Sequence, residues 1–242
     1  WWSTRVLGFW RVKLSGAVKR KLAAPADTVV FNRDALPMPA AKKSGITVIL
    51  TAYRRAEYLA EQIAALRNQT IAPDEIWVWS NRSEDDLLDV SALADRVVVC
   101  NTNFLFWGRF ALASLVRTEF VAFFDDDILP QPRWFENCLN TIEAGHDGIL
   151  GGSGVLLPAA GGYASKNKAG WNGAQNNDVT EVDLVGHAWF MRKSYVRYMW
   201  IEEPEYWDNG EDIHLSYMAL KHGGIKTLVP PHPSDDQSLW CC

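Results

Sequence analysis

Short apolar runs alternate along the chain with segments of helical periodicity. Ile46–Thr51 is apolar on both faces and rich in β-branched residues, and in Arg55–Arg67 the residues Leu59, Ile63 and Leu66 share one helical face. The same succession recurs: Glu75–Ser80 before a short helix around Leu87–Leu93, Arg96–Cys100 before a helix over Leu105–Val116, and Phe120–Phe124 before a helix from Pro132 to Ala144. Ile149–Leu157 and Val182–Met191 read as strands, Glu211–His222 as a helix, and Ile225–Val229 as a last strand. Strands alternating with helices predict an α/β domain around a mixed, mostly parallel sheet. The stretch Pro158–Thr180 is rich in Gly, Ala, Asn and Lys, and a loop of that length inside a compact domain marks a lid or substrate loop.

Composition narrows the partners. At 242 residues, 48% hydrophobic and 22% charged, the chain carries enough apolar surface for one sizeable core. A net charge of −5 argues against a nucleic-acid partner, and no apolar run approaches the roughly 18 residues of a membrane span. Residues 1–24 hold six basic side chains and no acid among interspersed apolar residues. They read either as an amphipathic segment for peripheral contact with an anionic membrane or as a terminal helix with a solvated basic face. Pro25, Pro37 and Pro39 then mark a linker, so residues 1–45 stand apart from a domain over 46–242. The four cysteines lack metal-ligand spacing: Cys100 and Cys138 read as buried thiols and Cys241-Cys242 as a frayed tail. Twelve Trp outnumber both ten Phe and seven Tyr, which suits core packing and sugar platforms alike.

The strongest chemical signal is Phe123-Phe124-Asp125-Asp126-Asp127-Ile128, an apolar strand running into three carboxylates. In open α/β sheets ligands bind beyond the carboxyl ends of the strands. On an extended backbone Asp125 and Asp127 point the same way, and oxygen ligands so placed suit Mg²⁺ or Mn²⁺. The alternative is a solvated acidic turn. The first turn, Thr51-Ala-Tyr-Arg-Arg55, contains no phosphate-binding glycine motif; it offers a hydroxyl, an aromatic ring and two cations. Glu211-Asp212 opens a helix, where acids serve the macrodipole or act as a general base on an acceptor hydroxyl. His232 in Pro230-Pro-His-Pro233 is either a metal ligand or an unpartnered loop histidine. His187 sits in a strand, as an acceptor contact or a core residue. Trp77, Trp79 and Trp189 fit packing, whereas Trp171 in the polar loop and Trp207 just before Glu211 are candidate acceptor platforms.

The order Ile46-Thr-Val-Ile-Leu-Thr-Ala-Tyr-Arg-Arg55, Ile76-Trp-Val-Trp-Ser-Asn81, Asn101-Thr-Asn103 to Arg109, Phe124-Asp-Asp-Asp127, Leu184–Phe190 and Asn209-Gly-Glu-Asp-Ile213 resembles the GT-A glycosyltransferases. More narrowly it is similar to the exostosin-like transferase domain, with family 2 as the broader relatives. The resemblance implies a Rossmann-like single domain with a nucleotide-binding half over about 46–130 and an acceptor-binding half over about 131–242. It implies that Thr51, Tyr53, Arg54 and Asn81 line the base pocket and that Arg109, Asp125 and Asp126 meet the nucleotide-sugar. Asp127, with Asp125 and His232, is implied as the metal site. Asp212, with Glu211 beside it, is implied at the reacting anomeric centre, which would put the candidate contacts Trp171, His187 and Trp207, read from the residues themselves, on the acceptor side.

The implied activity is metal-dependent transfer of a hexosyl or N-acetylhexosaminyl group from a nucleoside-diphosphate donor, UDP-linked, to a glycan hydroxyl, as in polysaccharide biosynthesis. The exostosin-like likeness favours retention of configuration, whereas family 2 enzymes mostly invert. The compartment is left open: cytoplasmic or membrane-peripheral for a microbial chain, Golgi lumen for an exostosin-like one. Two further readings stand beside this one. A sugar-phosphate nucleotidyltransferase requires a basic glycine-rich loop after the first strand, which Thr51–Arg55 does not provide, and a non-catalytic carbohydrate-binding protein would use the tryptophans alone.

Overall fold

The computed structural model describes residues 45–82, 91–159, 167–171 and 173–241. The expected basic segment and linker over 1–45 and the short helix around Leu87–Leu93 fall essentially outside these residues. Nine strands form one sheet: β1 (Ile46–Ala52), β2 (Glu75–Asn81), β3 (Arg96–Cys100), β4 (Phe120–Phe124), β5 (Gly148–Val155), β6 (Lys168–Gly170), β7 (Thr180–Val182), β8 (Leu184–Arg192) and β9 (Lys226–Val229). Their order is β3-β2-β1-β4-β8-β5-β9-β7, with β6 paired to β5. The half from β3 to β4 is wholly parallel, and β8 runs antiparallel to both β4 and β5. The fold is therefore a mixed α/β sheet, as the alternation predicts.

Central strands are covered on both faces, so they read as continuous apolar runs rather than alternations. Each residue of β4 is buried, and so is each of β1 except Thr51. One core layer holds Leu59, Ile63 and Leu66 of the helix α1 (Leu59–Arg67) with Phe124 and Phe135; the other holds Phe110, Phe123, Trp189 and Leu215. The remaining described α-helices are α2 (Gly108–Ala113), α3 (Trp134–Glu143) and α4 (Glu211–Gly223).

Several expectations need correction. The helix expected over Leu105–Val116 shrinks to Gly108–Ala113, because Leu105 takes a left-handed φ of 51° and the chain turns from Phe104 to Trp107 before coiling. The strand expected over Val182–Met191 divides into β7 and β8, and β6 lies within the stretch read as a loop. A 3₁₀ helix over Lys193–Trp200 was not anticipated; it buries Val196, Tyr198 and Met199. Cys241 is no frayed tail: it is fully buried in the first core layer and bridges Pro130. Cys138 is buried too, and burial raises its thiol well above its ordinary value, whereas Cys100 is half-buried on the edge strand β3.

Candidate active site

Chain reversal at β1 creates the cleft. From β1 the chain steps outward to β2 and β3, and β4 lies on the other side of β1, so a crevice opens where strand order switches. A pocket of about 290 Å³ lies there, lined by Thr51, Tyr53 and Arg55 after β1, Asn81 ending β2, Leu105, Phe106 and Arg109 beyond β3, and Asp125–Asp127 after β4. His187 joins them from β8. Being antiparallel, β8 brings its amino-terminal part to the edge where the parallel strands end, and the Asp125 amide donates to the His187 carbonyl at 2.9 Å.

The three aspartates do not alternate as extended residues would. The strand ends at Phe124 and a turn begins, closed by the Ile128 amide donating to the Asp125 carbonyl at 3.2 Å. Asp126 and Asp127 consequently share one partner: Arg55 Nη2 reaches Asp126 at 2.5 Å and Nη1 reaches Asp127 at 3.2 Å. Asp125 faces the other way. It accepts from Arg109 Nη1 at 2.6 Å and lies 3.4 Å from His187 Nδ1. Gln62 of α1 clamps the turn, donating to the carbonyls of Asp125 at 2.7 Å and Ile128 at 2.9 Å. Sequence reasoning passed over Gln62, although its buried place between Leu59 and Ile63 was the available signal.

Arg109 is the electrostatic hub. Its side chain is buried against Trp189, 4.6 Å from that ring, and its second fork donates to Glu211 Oε1 at 3.3 Å. Burial alone would raise the Asp125 carboxyl, but Arg109 and His187 outweigh it and hold Asp125 below its ordinary range. Burial raises Asp126, and Arg55 offsets only part of the rise. Burial, with the neighbouring Asp212 charge, also raises Glu211 against the pull of Arg109. Asp212 rises for the same first reason, burial, and its Oδ1 accepts from the Ile213 amide at 2.8 Å. The hydrogen bond with Asp125 raises His187.

Glu211 and Asp212 form the wall of a second, smaller pocket of about 170 Å³ with Ser153, Lys168, Gly186 and Trp189. Asp125 and His187 line both pockets, so the two spaces meet at these side chains. One space of about 290 Å³ and a second walled by Glu211 and Asp212 thus meet at Asp125. Thr51 Oγ1 is buried at the rim of the larger pocket with no hydrogen-bond partner among the described residues, an acceptor and donor available to a ligand.

Of the other expected residues, some fall elsewhere. Arg54 is exposed and outside both pocket linings, because its left-handed φ of 65° throws it back over Tyr53, 4.9 Å from the ring; Arg55 takes the inward place. Asn81 lines the cleft, but its amide is committed to the loop after β3, donating to the Leu105 carbonyl and accepting from the Phe104 amide, each at 2.8 Å. His232 is not brought to the carboxylates. It is fully buried between Trp134 and Trp240, its Nδ1 on the Pro230 carbonyl at 2.8 Å, and burial lowers its basicity. Trp171 packs partly against the core, 6.2 Å from the His187 ring. Trp207 is 52% exposed; its carbonyl accepts from Trp107 Nε1 at 2.7 Å and its ring lies 5.2 Å from that of Trp107.

Among the described residues no three His, Cys, Asp or Glu side chains converge on one point, since Arg109 draws Asp125 one way and Arg55 draws Asp126 and Asp127 the other. The donor chemistry nevertheless fits a hard cation: all three are carboxylates, and the half-exposed Arg55 guanidinium already stands in for a positive charge on two of them.

This mixed sheet, with its cleft beyond the carboxyl ends of the parallel strands, has the GT-A fold. A sequence profile described as glycosyl transferase family 2 matches residues 47–200, well over half of the chain, and the chain belongs to that family. It is the broader of the two relationships implied by the motifs. No curated protein matches the chain. Among solved structures, S. aureus TarS superposes with a TM-score of 0.57 at 18% identity, over 78% of this chain and 35% of that one. TarS 1–349 in complex with UDP-GlcNAc gives the same score and identity over 56% of its length, and the complex with UDP over 58%. The chain thus spans between about a third and three-fifths of the structures it matches.

Proposed function

We propose that the protein transfers a sugar from a nucleoside-diphosphate donor to a carbohydrate hydroxyl by single displacement, with inversion. The observation that carries this reading is the pair of pockets sharing Asp125 and His187, one ending in the Thr51–Tyr53 rim and the other in Glu211 and Asp212. The nucleotide would occupy the larger pocket against Thr51, Tyr53 and the aspartate turn. UDP as the nucleotide draws support from the fold likeness to TarS 1–349, whose structures hold UDP and UDP-GlcNAc; an N-acetylhexosaminyl group is the corresponding choice of sugar.

Asp212 serves as the base. Its carboxylate takes the proton of the acceptor hydroxyl while that oxygen bonds to the anomeric carbon. The carbon–oxygen bond to the diphosphate breaks, and the diphosphate leaves with the electron pair. A base on the acceptor side and membership of family 2 support inversion in preference to the retention that the exostosin-like likeness implies. Raising of the Asp212 carboxyl by burial makes it a stronger base than a free aspartate. Asp125 and Asp127, with Asp126 beside them, would hold Mg²⁺ or Mn²⁺, whose chemistry is to neutralise the departing diphosphate. Arg109 keeps Asp125 ionised and Glu211 in place. Trp207 offers an exposed indole face to the acceptor.

Titration calorimetry with UDP, with and without Mn²⁺, followed by proton NMR of the first product formed from UDP-GlcNAc and a glycoside panel, tests the reading. Metal-dependent UDP binding and an inverted product are expected. Failure to bind any nucleoside diphosphate would sink it.

A further inference from the structure

The glycine at position 186 is not explained by packing. A Cβ on Gly151 would strike the Val185 side chain at 2.3 Å, and one on Gly154 would meet Val229 at 2.6 Å. At Gly170, with φ of +90°, a Cβ would lie 2.2 Å from the Gly152 carbonyl oxygen. These glycines are dictated by close approach. Gly186 is different: its φ lies outside the left-handed region. The nearest heavy atom that an added Cβ would meet among the described residues is Asp212 Oδ2, at 3.9 Å. That is ordinary contact distance, so any L-residue's Cβ fits. The space it would take belongs to the smaller pocket, which Asp212, Lys168 and Ser153, the cross-strand neighbour of Gly186, also line.

We propose that Gly186 is a specificity-determining position, left bare so that a single pyranose ring lies against the β8 backbone beside Asp212. This rests on the glycosyltransferase reading and deepens it. The chemistry of the pocket matches a polyol: Ser153, Lys168 and Asp212 are among its polar lining residues, and Val155, Leu184 and Trp189 are its apolar ones. Its volume of about 170 Å³ is below the ~300–1,000 Å³ of drug-sized sites, a size that suits a single ring. The ring has two sources with the same chemistry, the transferred sugar of the donor and the terminal sugar of the acceptor.

Gly186→Ala and Gly186→Val separate the outcomes. Both variants should fold as the wild type, which circular dichroism checks, and both should bind UDP as it does, because the nucleotide pocket does not include this position. A ring from the donor predicts that the affinity for UDP-GlcNAc falls at least tenfold in Gly186→Val and less in Gly186→Ala, with UDP affinity unchanged. A ring from the acceptor predicts that UDP-GlcNAc affinity holds while KM for methyl pyranosides rises at least tenfold in the same order. A valine variant equal to the wild type in both arms overturns the proposal, as does a fall in UDP affinity parallel to that for UDP-GlcNAc. A wild type that binds no UDP overturns the glycosyltransferase reading first, and this proposal with it.

Discussion

Arg109 and Asp125 lie 16 residues apart and form an ion pair at 2.6 Å, with the arginine only 3% exposed. Removing the arginine strands two carboxylates, since its other fork serves Glu211. Arg109→Gln should lower the unfolding free energy by about 3–5 kcal/mol, the usual cost of breaking a buried pair. Urea titration reads the change. Arg109→Lys should recover only part of it, because an ammonium does not reproduce the two-pronged fork.

Asp212→Asn should leave UDP affinity intact and lower kcat by about 10²–10⁴-fold, the range for losing a general base. Its carboxylate is outside the larger pocket, so ground-state nucleotide binding does not depend on it. Steady-state transfer together with calorimetry checks both halves of the expectation. Unimpaired turnover would remove Asp212 from the chemistry.

Arg55→Ala should cost only about 1 kcal/mol of stability, because Arg55 and Asp127 are each about half exposed, Asp126 being the more buried partner. It should also tighten binding of Mn²⁺ to the nucleotide-free protein, since the guanidinium competes for the same oxygens. Electron paramagnetic resonance of free Mn²⁺ follows the effect directly. Weaker Mn²⁺ binding would show that Arg55 supports the cation instead of competing with it.

His232 gives a pH signature. Burial holds its folded value below 6.5, so the unfolded chain binds this proton at higher pH than the folded one. Its contribution to stability is complete above about pH 6.5 and is lost as pH falls through the window beneath it. His232→Phe retains a ring between Trp134 and Trp240 and cannot titrate. The thermal midpoint of the wild type should therefore fall more steeply than that of the variant between pH 7 and pH 5.

Much of this arrangement could be read from the chain, and the failures have physical causes. Phe120–Phe124 and Ile46–Ala52 were legible because strands covered on both faces leave unbroken apolar runs. That the aspartates follow a strand and that Glu211-Asp212 open a helix was legible from the apolar run before the one and the helical periodicity after the other. What was not legible depends on single backbone angles or distant packing. Arg54 and Arg55 are chemically equal, and only the left-handed φ at Arg54 decides which enters the cleft. His232 reads as a ligand until Trp134, nearly a hundred residues earlier, is seen to cover it. Gln62 stands between Leu59 and Ile63, but the carbonyls it serves, Asp125 and Ile128, lie 63 and 66 residues further along the chain.

The reversed strand β8 has a last consequence. It delivers Gly186 and His187 to the rim where β1, β2 and β4 deliver Thr51, Asn81 and Asp125, and its other end is fastened by Arg192 to Glu119 and Asp147. Chemistry is thereby confined to one rim of the sheet and anchorage to the other. Substitutions along the first rim can retune which sugar is handled while the second keeps the scaffold in register, a division of labour that leaves this architecture open to new substrates over evolutionary time.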